Sequence, residues 1–283
     1  MRPDVDKKLQ IILCSVLGLL LLTALVLTIV LTAYGCSFRR GENGPDPGPS
    51  GETKQSETEG QTHQPSSVLQ ETPDAGLSYQ DEIIFVGDST TAHLRSREVL
   101  TGGKDTKQVW CPDNNTLLLD SEITSVKIVY PELSGEDAYK TIPEAASLKQ
   151  PKYMIITLGL NGIMSHVDNR KNFEYSYSKL IDAIKSVSSE TKIIIQSIFP
   201  VSAACDAFSA DAAQVNQNID TVNGWLLELS AQKGVYYLDS QSVLKDGSGM
   251  LKSEYDNGDG IHLTKSAYEL LLSYIRTHAV PNP

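Results

Sequence analysis

Short, almost purely apolar runs alternate with stretches of helical periodicity from residue 82 to the end of the chain, and that alternation restricts the fold more than any other feature. "EIIFVG" (82–87), "QVWC" (108–111), "KYMIITLG" (152–159), "KIIIQSIFP" (192–200) and "VYYLDS" (235–240) read as strands, and "SVKIVY" (125–130) as part of a small hairpin. Phe173, Tyr177, Leu180, Ile181 and Ile184 mark one helix; Val215, Ile219, Val222, Leu226 and Leu229 mark another. A polar helix start, "DSTTAHLRSREVL", follows the first strand. The last helix is capped by Thr264, with Leu263 and Tyr268 spaced for a hydrophobic staple and Leu270, Leu271, Tyr274 and Ile275 on a core-facing stripe. Strands apolar on both faces, separated by helices, predict an α/β fold with a parallel sheet covered on both sides. Ligands of such folds bind beyond the carboxyl ends of the strands.

The amino-terminal part is a different object. Ile11–Tyr34 is a 24-residue stretch without a charge, long enough to cross a bilayer as a helix and long for a cleaved signal peptide. Arg2, Lys7 and Lys8 precede it and Arg39 and Arg40 follow, which leans to a cytoplasmic amino terminus. Residues 1–36 thus read as a transmembrane anchor that leaves the rest of the chain extracytoplasmic at the cell membrane. "LTAYGC" leaves open a lipoprotein lipidated on Cys36, or a secreted form. Residues 37–76 read as a disordered linker, since Gly41–Ser66 has no large apolar side chain to bury and His63 within it is simply solvated. Residues 77–283 are of a length that suits one domain.

A net charge of -11 argues against nucleic acid, whose readers present a basic face to phosphate. Of four cysteines, Cys14 and Cys36 belong to the anchor. Cys111 and Cys205 could pair in an oxidising compartment, but nothing local sets their separation. No Cys-x-x-Cys or His-x-x-x-His spacing suggests a metal, and no cofactor is implied.

Three strand ends carry chemistry-bearing residues. The first ends in Gly87-Asp88-Ser89, which sets a hydroxyl at the ligand face and a backbone N–H at a helix start, although Ser89 could be a plain N-cap. The strand 152–159 leads to Asn161, whose amide could donate to an oxyanion or simply form an Asn-Gly turn with Gly162. After the last strand, Asp259 lies three residues before His262. A carboxylate orienting an imidazole, with a serine on the same rim, meets the needs of acyl transfer. His93, one turn after Ser89, could line the site but reads first as a helix-surface or core residue; His166, after the Asn161 loop, could touch substrate but reads first as a solvated loop; His278 reads as a cation favoured in the last helix turn, Trp110 and Tyr236 as core aromatics, and Asp256 and Asn257 as turn formers.

"FVGDST", "LGLNG" and "DGIHLT", in that order, resemble the motif blocks of the SGNH or GDSL-type serine hydrolases, and the resemblance spans about Glu82 to Tyr274. It implies a flavodoxin-like three-layer α/β/α sandwich. Ser89 would be the nucleophile, Asp259 and His262 would complete a triad, and the Ser89 N–H and Asn161 would line an oxyanion hole. Thr90 stands where many members have Leu, and Gly162 where the family often has Asp. The family's second block supplies a glycine N–H to the oxyanion hole, yet no Gly lies between Lys104 and Ser134. Asn114 or Asn115 could take that turn, because Asn tolerates the left-handed conformation.

The function so implied is a membrane-tethered serine esterase cleaving O-acyl esters, including O-acetyl groups on cell-envelope or environmental glycans. A lysophospholipase or short-chain lipase, and a glycan O-acyltransferase, would use the same residues. A noncatalytic carbohydrate-binding module on the same fold is the reading from another class.

Overall fold

In the computed structural model, which describes residues 67–281, three runs of branched apolar residues lie side by side: β1 (Ile83–Gly87), β5 (Tyr153–Thr157) and β6 (Lys192–Gln196). Short strands β2 (Val109–Trp110) and β7 (Tyr236–Leu238) flank them in the order β2-β1-β5-β6-β7, all parallel. Counted within this sheet alone, that is the flavodoxin-like order 2-1-3-4-5. The expected hairpin forms apart from the sheet, from β3 (Lys127–Val129) and β4 (Tyr139–Thr141) paired antiparallel.

The two-residue period of a strand explains how both faces are covered. Ile84, Val86, Met154, Ile156, Ile193 and Ile195 face one core, shared with helices α3 (Ile142–Lys149), α5 (Arg170–Val187) and α6 (Ala212–Lys233). Ile83, Phe85, Tyr153, Ile155 and Ile194 face the other, shared with α1 (Gly76–Asp81), α2 (Ser89–Ser96) and α8 (Lys265–Thr277). Short helices α4 (Ile163–His166) and α7 (Gln241–Leu244) lie in the connections. Truncating one of these fully buried isoleucines to Ala would cost about 2–5 kcal/mol.

Two features of the packing prepare the site. Gly87 pairs with Thr157 at the ends of β1 and β5, so the segments that follow leave the sheet next to each other. A Cβ on Gly87 would lie 2.2 Å from Thr91 Oγ1 and 2.6 Å from the Thr157 carbonyl, which is why glycine stands there. On α6, Asn216 and Asn223 turn inward, seven residues apart on one helix face. Asn223 bonds the N–H and carbonyl of Ile198 (2.8 and 3.0 Å), and Asn216 those of Val201 (3.0 and 2.9 Å). These two amides satisfy the backbone as it leaves β6.

Packing already involves residues 67–69, inside the segment expected as linker. Leu69 donates to the Tyr237 carbonyl (2.9 Å), Tyr237 donates to the Ser67 carbonyl (2.7 Å), and Leu69 is buried, which corrects the linker boundary at residue 76: residues 67–69 belong to the domain. Unpaired donors and acceptors on edge strand β7 recruit this segment. The anchor and the linker before Ser67 lie outside the described residues; among the described residues no helix is long and apolar enough to cross a membrane. Cys111 and Cys205 are both buried and free, not paired.

Candidate functional site

Asp88 and Ser89 sit where β1 turns into α2. Asp88 is the N-cap: its Oδ1 accepts from the Thr90 N–H (3.0 Å) and the Thr90 hydroxyl (2.8 Å). Its other oxygen accepts from Asn161 Nδ2 at 3.1 Å, across the two neighbouring strand ends. Asp88 is buried, and that burial pushes its carboxyl pKa up, against the opposing bonds from Thr90. The motif's Asp thus holds the loop that bears Asn161, a role its place in the sequence did not reveal.

Ser89 opens the first turn of α2. Its Oγ lies 2.9 Å from His262 Nε2, and His262 Nδ1 lies 2.7 Å from Asp259 Oδ2. Asp259 Oδ1 accepts the backbone N–H groups of Ile261 (2.9 Å) and His262 (2.8 Å). Partial burial pushes the Asp259 pKa up, but these N–H groups and the imidazole outweigh it and hold the carboxyl at about 2. With a carboxylate on Nδ1, that nitrogen carries the proton and Nε2 presents its lone pair to the serine hydroxyl.

The loop bearing Asp259 and His262 is docked rather than hanging. Asp256 accepts from the N–H groups of Gly258 (2.8 Å) and Gly260 (2.9 Å) and from the Ser202 hydroxyl (2.6 Å). Asn257 donates its N–H to the His262 carbonyl (2.8 Å), and Ser202 donates its N–H to the Gly260 carbonyl (2.9 Å). Gly260 has φ +79°, and a Cβ there would lie 2.4 Å from Cys205 Cα, so no other residue fits without moving backbone. Asp256 is therefore more than a turn former, because it ties this loop to the segment that Asn216 and Asn223 brace.

His93 comes next to the relay instead of the bulk surface or core. One turn after Ser89, its ring lies 4.4 Å from that of His262, tilted by 40°. Burial, followed by the nearby His262 and Arg97 charges, lowers its pKa, and its Nδ1 is buried without a partner among the described residues. The four-residue spacing from Ser89 was the available signal. His166 is not a solvated loop residue either. Its Nε2 donates to the Asn161 carbonyl (3.1 Å) and its ring packs edge-on to Phe173 at 5.1 Å. Gly162 has φ +87°, and a Cβ there would meet His166 Nε2 at 3.1 Å. The departure from the family's Asp at Gly162 thus makes room for the imidazole that braces the loop.

On the remaining side, Asn115 takes the left-handed conformation (φ 56°), as expected for one of the two asparagines. Its N–H, however, donates to the Pro112 carbonyl (2.9 Å) in a tight turn. That N–H is engaged, which corrects the expectation that Asn115 could offer it to an oxyanion. Asn114 uses its side-chain oxygen to accept from the Thr116 N–H (3.0 Å). His278 caps the end of α8, stacked on Tyr274 at 3.8 Å; Trp110 is buried edge-on to Tyr130, and Tyr236 is only half-buried. Among the described residues no three His, Cys, Asp or Glu side chains converge as a metal site would.

The GDSL-like lipase/acylhydrolase family model matches residues 85–270, well over half of the chain. No curated protein matches in sequence. Similar solved structures include the periplasmic domain of a lipopolysaccharide acetyltransferase from Salmonella ser. Paratyphi A, 18% identical over 69% of this chain and 82% of that one, TM-score 0.46. A GDSL-like lipase from Bacteroides thetaiotaomicron is 14% identical over 70% and 87%, TM-score 0.44. A catalytic mutant of an acetylxylan esterase from Geobacillus stearothermophilus is 13% identical over 70% and 94%, TM-score 0.41. By the extent of the family match, the chain belongs to the GDSL-like lipase/acylhydrolase family.

Proposed function

We propose that this protein is a serine esterase that cleaves O-acyl esters of glycans outside the cytoplasm, tethered to the cell membrane by its amino-terminal segment. The observation that carries the reading is the unbroken line from Ser89 Oγ to His262 Nε2 (2.9 Å) and from His262 Nδ1 to Asp259 Oδ2 (2.7 Å). His262 takes the hydroxyl proton as Ser89 Oγ bonds to the ester carbonyl carbon. The oxyanion that forms is met by the Ser89 N–H at the start of α2 and by the Asn161 amide, whose angle Asp88 sets. The bond to the alcohol then breaks, and the alcohol leaves with the proton from His262. Water attacks the acyl-serine by the same route and releases the acid. Asp259 stays ionised and keeps the imidazole in the working tautomer.

The tether rests on the uncharged stretch Ile11–Tyr34 and the long polar segment after it. The test is hydrolysis of p-nitrophenyl acetate and longer-chain esters by the full-length chain in detergent, beside Ser89→Ala. Turnover and labelling by a fluorophosphonate are both expected to vanish in the variant. A folded parent that neither turns over any ester nor takes the label would sink the esterase and leave a noncatalytic glycan-binding module. Accessibility of the C-terminal domain to protease added to intact cells tests the topology separately.

A further inference from the structure

Helices α4 and α5 and the segment around Ser121 enclose a cleft of about 460 Å³. That falls among the roughly 300–1,000 Å³ of sites that hold small ligands. Buried Phe173 contributes apolar lining, while Ser121, Asn169 and Asn172 bring hydroxyl and amide groups. Tyr175 also lines it and stands 60% exposed, an unusual position for a large aromatic side chain on a helix with a well-filled inner face. The Asn172 carboxamide and the Tyr175 hydroxyl make no hydrogen bond among the described residues, so both remain available to a ligand.

The lining selects a chemical class. It includes one carboxylate, Asp120, and no Lys or Arg, so it repels a phosphate or a carboxylate and lacks their usual partners. Its apolar surface is broken by polar groups, whereas an acyl chain needs a continuous apolar channel. A flat aromatic ring beside amides and hydroxyls, which both donate and accept, matches the apolar C–H face and the hydroxyl edge of a neutral sugar ring.

A line of hydrogen bonds connects the cleft with the serine site. His166 lines it and donates to the Asn161 carbonyl at 3.1 Å. The Asn161 amide reaches Asp88 at 3.1 Å, the residue before Ser89. We propose that this cleft seats the sugar portion of the substrate, with Tyr175 stacking on the ring and Asn172 bonding its hydroxyls, while the O-acyl group reaches Ser89. The acyl part of this proposal rests on the esterase reading above; the sugar-binding part does not.

The experiment uses the full-length chain with partially O-acetylated xylobiose, cellobiose and chitobiose, beside p-nitrophenyl acetate, which carries no sugar. In Tyr175→Ala and in Asn172→Ala, the ratio of kcat/KM on an acetylated disaccharide to that on p-nitrophenyl acetate should fall by up to about tenfold, the size of one lost ring contact or one lost hydrogen bond. An unchanged ratio for all three disaccharides in both variants overturns the cleft. Binding of the same disaccharides to Ser89→Ala, followed by protein NMR, gives a readout without turnover. Binding that disappears when Tyr175→Ala is added supports the cleft even if no ester is hydrolysed, in which case only the esterase reading fails. Ester hydrolysis without any Tyr175-dependent sugar binding overturns the cleft alone.

Discussion

Two segments border the serine in opposite styles. Residues 256–264, which carry Asp259 and His262, are tied to distant parts of the chain through Ser202 and by the contact of Gly260 with the Cys205 backbone. Residues 112–121, where the family places a further oxyanion donor, are held by local links, from Asn115 to Pro112 and from Thr116 to Asn114, by the buried side chains of Leu117 and Leu119, and from farther off among the described residues only by two exposed bonds, from Tyr139 to Asp113 and from Lys179 to the Ser121 carbonyl. The lesson concerns which half of the chemistry is built in advance. Proton transfer needs a fixed line of three groups, and its loop is over-determined. On the proposed reading, oxyanion binding relies on the Ser89 N–H and on Asn161, whose amide is held by Asp88, and asks less of the third side.

The strongest challenge to that contrast is Asp259→Asn. It keeps the shape of the loop but removes the charge that selects the His262 tautomer, and should lower kcat by about 10⁴-fold. A loss under about tenfold, in ester hydrolysis by a folded variant, would mean that the loop positions the imidazole without its carboxylate. The titration of Asp259 sharpens the point. Its folded pKa of about 2 lies below the roughly 3.9 of an unfolded chain, so its contribution to stability is complete above that value and is lost as pH falls through about 2. A carboxyl carbon NMR titration should place the midpoint near 2; a midpoint at about 4 or higher breaks the proposed network.

Next in size is Asn161→Ala, expected to reduce kcat by about 10²–10³-fold with little change in KM, the signature of a donor that acts on the transition state. A larger effect from Asn114→Gly than from Asn161→Ala would shift the oxyanion site to the 112–121 side and reverse the comparison. Gly260→Ala should cost about 1–3 kcal/mol in unfolding free energy, because it forces a left-handed residue against the Cys205 backbone. Denaturant melts measure it. Asn115→Gly should do the opposite and leave stability unchanged or raised by less than about 1 kcal/mol, since it only relieves a left-handed turn. If both substitutions prove equally costly, the two segments are equally rigid and the contrast fails.

Legibility in the sequence followed the range of each interaction. The parallel strands could be read, since isoleucine-rich runs need burial on both faces wherever they lie. The Thr264 cap was also visible, because its partner Ala267 is three residues away. So was the pairing of Asp259 with His262, for the same reason. The pairing of residues 67–69 with β7 was not visible, as no local pattern announces a segment recruited to a sheet edge. The neighbours of His93 and His166 were not legible, since a lone histidine on a helix is uninformative until the facing element is known. Asn216 and Asn223 carry no local signal on an amphipathic helix, yet they hold the backbone at Val201 and Ile198.

By itself, then, the sequence determined the class of fold, the order of its strands and helices along the chain, and which residues could take part in acyl transfer. All of these depend on periodicity and on groups a few residues apart. The tertiary structure alone decided that Ser89 meets His262 across 173 positions, that Asp88 is buried against Asn161, that Asn115 has its N–H engaged in a turn, and that Cys111 and Cys205 stay apart. Those contacts follow from how the strands line up in the sheet, and the pairing of Gly87 with Thr157 is set by packing on both faces at once.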